Sequence, residues 1–297
     1  FLPRFRRQSA RNAFLRSSPV ISYWNTFFQG LRQCYLFLEN VDKVPDLTES
    51  VKADYIAQVK FLIAYYHYQL ARCYGPIILI KELPNVNASQ AEYLPRTPYD
   101  ECVEWICNLL DEAAASLPAI RTNKEDYGLA TSVGAKAVKA KMLLYAASPL
   151  FNGNSAFYSN FADKSGNMLM PVTYDPNKWV KARTAIKEAI DLAEQNGHAL
   201  YTKQDYKIGN EDANPYPAAG PVRCLRTSLV DWDSRNPEVL LAETRSEGSY
   251  GIQNKSLPFV TDGWAWNGIG PTWSFHDLGK IPYDKRPLID YVFLRNG

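Results

Sequence analysis

Through residues 19–200 the apolar side chains return every three or four positions, the spacing of helices that each turn one stripe toward a core. The sharpest instance is residues 49–74, where Val51, Tyr55, Val59, Ile63, Tyr66, Leu70 and Cys73 share a predicted face. Thr48 stands where an N-cap belongs, Gly75 can take the left-handed position past the helix end, and Pro76 forbids continuation. The apolar run from Ile77 to Ile80 follows at once and predicts extended chain. Upstream, Trp24, Phe27, Phe28, Leu31, Tyr35 and Leu38 mark a helix from about Pro19 to Glu39, closed by Pro45-Asp46. So short a connection predicts that the two helices pack as an antiparallel hairpin.

A second hairpin follows. Thr97-Pro98 supplies an N-cap and a first-turn proline for a helix whose face carries Val103, Ile106, Leu110, Ala113 and Leu117, up to Pro118. Its partner, about Ser132 to Ala147, is rich in alanine. Small residues at 135, 137, 140 and 146 should let neighbours approach closely while Leu143, Leu144 and Tyr145 fill the space around them. After a loop-rich insertion over 151–175, a fifth helix presents Trp179, Ala182, Ile186, Ile190 and Ala193 and ends at Asn196-Gly197. Hairpins of this size predict a mainly α, tetratricopeptide-like scaffold over residues 1–200, without the strict consensus of that repeat. Past Leu200, prolines, glycines, aromatics and short apolar runs such as Val239 to Ala242 replace the helical period. Residues 201–297 therefore read as a loop-rich, irregular C-terminal lobe laid on the scaffold, and loops on a rigid scaffold are where recognition sits.

The order of these blocks carries a family resemblance. FLIAYYHYQLARCYGPIILIKE (61–82), YLPRTPYDECVEWICNLLDEAAASLP (93–118) and YGLATSVGAKAVKAKMLLYAASPLF (127–151) are followed by WVKARTAIKEAIDLAEQNGHALY (179–201), NPEVLLAE (236–243) and PTWSFHD (271–277). This succession resembles the SusD/RagB family, the surface nutrient-binding lipoproteins of Gram-negative gut and oral bacteria. The chain departs from the pattern at Gly75-Pro76-Ile77, where an acidic residue often follows the glycine, and at Lys60, near an expected arginine. The resemblance implies tetratricopeptide-like architecture and capture of an oligosaccharide or other nutrient without catalysis. It also implies a SusC-like TonB-dependent outer-membrane transporter as partner, and a longer whole protein whose lipid anchor is outside these residues.

Composition narrows the remaining possibilities. With 297 residues, 46% hydrophobic and 13% aromatic, the chain can build one large core or two ordinary ones. A formal net charge of +2 gives no overall field for nucleic acid or an anionic membrane, and Arg4, Arg6, Arg7, Arg11 and Arg16 read as a solvated helix face. Five cysteines make an odd count, and four fall on predicted helices, so they read as core thiols rather than a disulfide framework. Cys102 and Cys107 have no second ligand pair nearby and are assigned to packing instead of zinc. No stretch approaches the ~20 apolar residues that cross a bilayer.

Candidate chemistry is concentrated near the C-terminus. His67 sits on the tyrosine-rich helix and reads as a hydrogen-bonded core residue; no G-x-S-x-G or H-E-x-x-H pattern occurs. Asp231, Asp233, Glu238, Glu243 and Glu247 leave a glycosidase-type carboxylate pair as an alternative, because only separation in space decides it. The segment Asp262-Gly263-Trp264-Ala265-Trp266-Asn267-Gly268, with Trp273 beyond it, stands out most. In extended chain, indoles at i and i+2 point to one side and can meet the apolar C–H faces of sugars, while Asp262 and Asn267 supply acceptors and donors. Trp264, Trp266, Asn267, Asp262 and Trp273 are the candidate ligand-binding residues, with no catalytic residue, metal or cofactor expected. Tyr23, Trp24 and Asn25 are possible contributors, Trp24 fitting a buried stripe better. A helical-repeat scaffold for protein partners and a glycan-cleaving enzyme remain the alternatives.

Overall fold

The computed structural model describes residues 23–85, 87, 89, 94–202, 220–230 and 236–244. These fall into two compact units divided between His198 and Ala199. The first holds α1 (Trp24–Asn40), α2 (Glu49–Tyr74), α3 (Tyr99–Ser116), α4 (Ser132–Ala147), the single turn α5 (Ser155–Tyr158) and α6 (Asn177–Gln195); the second holds α7 (Pro221–Val230). Among the described residues the one β pairing is an isolated bridge between Ala162 and Met168. The fold is mainly α.

Each long helix packs on the next, α1 on α2, α2 on α3, α3 on α4 and α4 on α6, so the core is a chain of neighbouring seams. The first pair is antiparallel: the Tyr23 amide donates to the Tyr74 hydroxyl at one end, and Lys52 pairs with Asp42 at 2.6 Å at the other. The anticipated stripe of Val103, Ile106, Leu110 and Ala113 on α3, with Leu117 just past its end, is buried throughout. The α3–α4 connection is pinned to α2. There Arg121 grips the Asp54 carboxylate at 2.7 and 3.1 Å, and the Gln58 amide exchanges two hydrogen bonds with the Ala130 backbone at 2.8 and 3.1 Å.

Several local expectations need correction. On α2, Val51, Tyr55 and Cys73 are exposed, whereas Ala57, Phe61, Ala64, His67, Tyr68 and Ala71 are buried. This helix has neighbours on two sides, so a single-face reading picks the wrong residues at its ends. Thr48 precedes α2 but its side chain caps nothing, and α3 starts at Tyr99 with Pro98 in the capping position. Gly75 has the expected positive φ of 70°, yet its ψ of −123° lies outside the left-handed helical region, in space open essentially to glycine alone. Leu144 of α4, and Trp179 and Ile190 of α6, are exposed rather than packed. The contact between α4 and α6 is made by alanines, and such side chains bring helix backbones too close for bulky residues to fit between them.

The extended run after α2 has no sheet to join, yet its amides are satisfied. Ile80 donates its N–H to His67 Nε2 (3.1 Å) and accepts the Tyr35 hydroxyl on its carbonyl (2.6 Å); the Ile77 carbonyl accepts the Thr97 amide (2.7 Å). Because the Ile80 amide can only donate, Nε2 is the acceptor and Nδ1 carries the proton, which goes to the Ile63 carbonyl at 2.8 Å. The ring is fully buried and edge-on to Trp105, with centroids 4.8 Å apart. This is the core role read from the sequence.

In the second unit the Ala199 amide donates to the Pro237 carbonyl, and the Tyr201 amide to the Glu238 carboxylate at 2.9 Å. Asn236 ties that segment to α7 through the Ser228 carbonyl at 2.9 Å.

Burial lowers the His67 pKa from 6.5 to about 4, with the Ile63 bond opposing it. A depressed histidine stabilises the fold fully above its unfolded value, and that contribution is lost as pH falls toward the folded value. Urea unfolding of the wild type should therefore lose about 1.4 kcal/mol per pH unit between 6.5 and 4 relative to His67→Gln, in which this slope disappears.

Candidate functional site

Trp264, Trp266, Asn267, Asp262 and Trp273 lie outside the described residues, as do Arg4, Arg6, Arg7, Arg11 and Arg16. The aromatic residues of α1 are within them. Tyr23 is 45% exposed, and Trp24 is half-buried rather than fully core. The Trp24 indole meets Tyr74 edge-on at 5.2 Å and has the Arg96 guanidinium over its ring at 5.3 Å. Arg96 also donates to the Pro76 carbonyl at 3.1 Å, so this cation–π stack fastens the stop after α2 and leaves less indole face for a ligand.

Among the described residues a groove of about 580 Å³ lies between α3 and α6, across α4. It exists because α3 and α6 both pack on α4 and leave a channel between themselves. Its apolar floor is small: Cys107, Ala146 and Ala185 with the edges of Val103 and Leu143. One end is closed by an ion pair between Lys178 of α6 and Asp100 of α3 at 2.5 Å. Lys139 on the wall, with Lys136 beside it, holds Asp111 at 2.5 and 2.7 Å. Burial would raise the Asp111 carboxyl, but hydrogen bonds from both lysines outweigh it and hold it below the usual carboxylate range. Burial pushes the Cys107 thiol up to about 12 and the Cys102 thiol up to about 11, so both stay protonated and inert at neutral pH.

The start of α6 is set by the insertion before it. Asn152, buried, exchanges two hydrogen bonds with the Asp175 backbone, each 2.9 Å, and the Asp175 carboxylate accepts the Asn177 amide at the helix start. The insertion is held to α3 by Phe151 stacked on Tyr99, with ring centroids 4.9 Å apart and planes 13° from parallel. No sequence pattern announced this groove. Its walls are spaced residues of two helices brought together only by the alanine seam.

Comparison with known proteins settles the family. Residues 7–144 match the SusD-like family described as starch-binding associating with outer membrane. A solved structure of BT4246 aligns at 31% identity with a TM-score of 0.72, covering 90% of this chain and 49% of that one. The chain belongs to the SusD/RagB family. A selenomethionine structure of BT4246 matches at 43% identity over 62% of this SusD-like chain and 30% of its own, with a TM-score of 0.55. A SusD-like protein (BF3747) from Bacteroides fragilis shares the fold at 19% identity, over 86% of this chain and 40% of that one, with a TM-score of 0.56. This SusD-like chain thus spans half or less of the length of the solved relatives it matches. No curated protein matches it.

Asn152→Ala should remove the bidentate tie to Asp175 from a buried position and lower stability by about 2 kcal/mol. Hydrogen exchange should quicken in the first turn of α6 before it changes in α3; unchanged exchange there would mean that the tie does not position the helix.

Proposed function

We propose that this chain belongs to a surface-exposed, lipid-anchored outer-membrane protein that binds an oligosaccharide without cleaving it and passes it to a SusC-like TonB-dependent transporter. The observation that carries this reading is the match over residues 7–144 to a family described as starch-binding associating with outer membrane. Its scaffold is the helical unit, and the ligand-binding lobe is residues 201–297, with Trp264 and Trp266 as the platform, Trp273 beside them, and Asp262 and Asn267 as polar partners. His67 has both ring nitrogens committed to the backbone, the Glu238 carboxylate is engaged by the Tyr201 amide, and Cys102 and Cys107 are protonated.

Area arithmetic favours modest affinity. A ring burying on the order of 100 Å² against a sugar contributes about 2.5 kcal/mol, and two or three such contacts must first overcome association entropy, which leaves dissociation constants from about micromolar to millimolar.

Calorimetry with maltoheptaose and a set of other glucans should show binding with no release of reducing ends, and Trp264→Ala with Trp266→Ala should weaken it at least about tenfold with Tm unchanged. Full affinity in that folded variant would refute the platform, and new reducing ends would refute the non-catalytic reading.

A further inference from the structure

We propose that the groove between α3 and α6 is a second carbohydrate site, one that takes a neutral or amino-sugar chain and excludes acidic glycans. The inference rests on the glycan-binding reading above and adds a place and a charge preference to it.

Two rails of exposed side chains border the channel. On α3 they are Glu101, Glu104 and Asn108, and on α6 Lys181, Thr184 and Glu188, each set at three- and four-residue steps that bring its members onto one helix face. Among the described residues the side chains of these six have no hydrogen-bond or ion-pair partner, so their polar groups can turn to a ligand. Of the neighbouring ammonium groups, Lys178 pairs with Asp100, and Lys139 shares the Asp111 carboxylate with Lys136. The two rails present three carboxylates, one carboxamide, one hydroxyl and one ammonium, and the lining adds the Asp175 carboxylate.

That set matches a pyranose chain lying along the channel. Its hydroxyl edges can donate to the carboxylates and accept from Asn108, Thr184 and Lys181, while its C–H face rests on the accessible apolar lining of Leu143 and Val180. The groove's 580 Å³ falls within the range of small-molecule clefts, roughly 300–1,000 Å³. Three carboxylates against one ammonium repel uronate or sulfate groups and accept the ammonium of an amino sugar. With small side chains for a floor and no indole, this site should bind more weakly than the tryptophan platform.

The test uses the whole chain with maltoheptaose, a glucosamine hexamer and an oligogalacturonate as probes, followed by calorimetry and by NMR of α3 and α6 amides. In the Trp264→Ala, Trp266→Ala background, residual binding of the first two probes should persist and shift groove amides. Adding Asn108→Ala, Thr184→Ala and Glu188→Gln, all at exposed positions, should then weaken it at least fivefold with Tm unchanged. If no probe binds the wild type, the glycan-binding reading falls and this inference with it. If the tryptophan variant abolishes all binding while groove amides never shift, only the second site is overturned. Oligogalacturonate shifting the groove amides as strongly as maltoheptaose would overturn the charge preference.

Discussion

The seam between α4 and α6 is built from Ala140, Ala185 and Ala189, and the dimensions of the surrounding scaffold depend on how closely these let the two backbones approach. Leu143 and Ile186 flank the seam and complete it. With α6 held at this distance, Lys178 reaches Asp100 across the channel, and Asp175 stays within reach of Asn152. Ala185 belongs both to this seam and to the groove lining, so the packing that brings the helices together also helps set the depth of the channel. A larger residue at 185 would widen the seam and fill the floor at once.

Much of the helical scaffold was legible because its boundaries are chemically punctuated. Gly75-Pro76 ends α2 at Tyr74, and Asn196-Gly197 ends α6, where Gly197 has a φ of 86° and the His198 amide returns to the Ala193 carbonyl. Burial was less legible where a helix has more than one neighbour or a small-residue contact. On α6, Trp179 and Ile190 dominate any apolar stripe by size, yet Ala182, Ala185, Ala189 and Ala193 make the buried face. The Ile80 clamp could not be read either. Its partners lie 45 residues back at Tyr35 and 13 residues back at His67, and no periodicity links them. The groove shares that difficulty, since Glu104 and Glu188 come to face one channel through packing alone. The tryptophan platform remains a reading of the sequence, because those residues lie outside the described ones.

His67, Cys107 and Asp111 share one physical condition, which is that burial or pairing has already committed them. Desolvation keeps His67 neutral and Cys107 protonated, while lysine neighbours keep Asp111 ionised. Each is held in its structural protonation state around neutral pH, as suits a rigid support. Free polar groups instead line the channel, where they can exchange hydrogen bonds with a hydroxylated ligand without disturbing the core.

The double clamp on Ile80 has a consequence for the order of assembly. Its amide is held by α2 and its carbonyl by α1, so neither helix alone can immobilise the run after Gly75. The run must wait for closure of the first hairpin, which makes docking of residues 77–80 cooperative with a contact spanning 45 positions. Slow exchange at the Ile80 amide would thus report completed hairpin closure rather than helix formation.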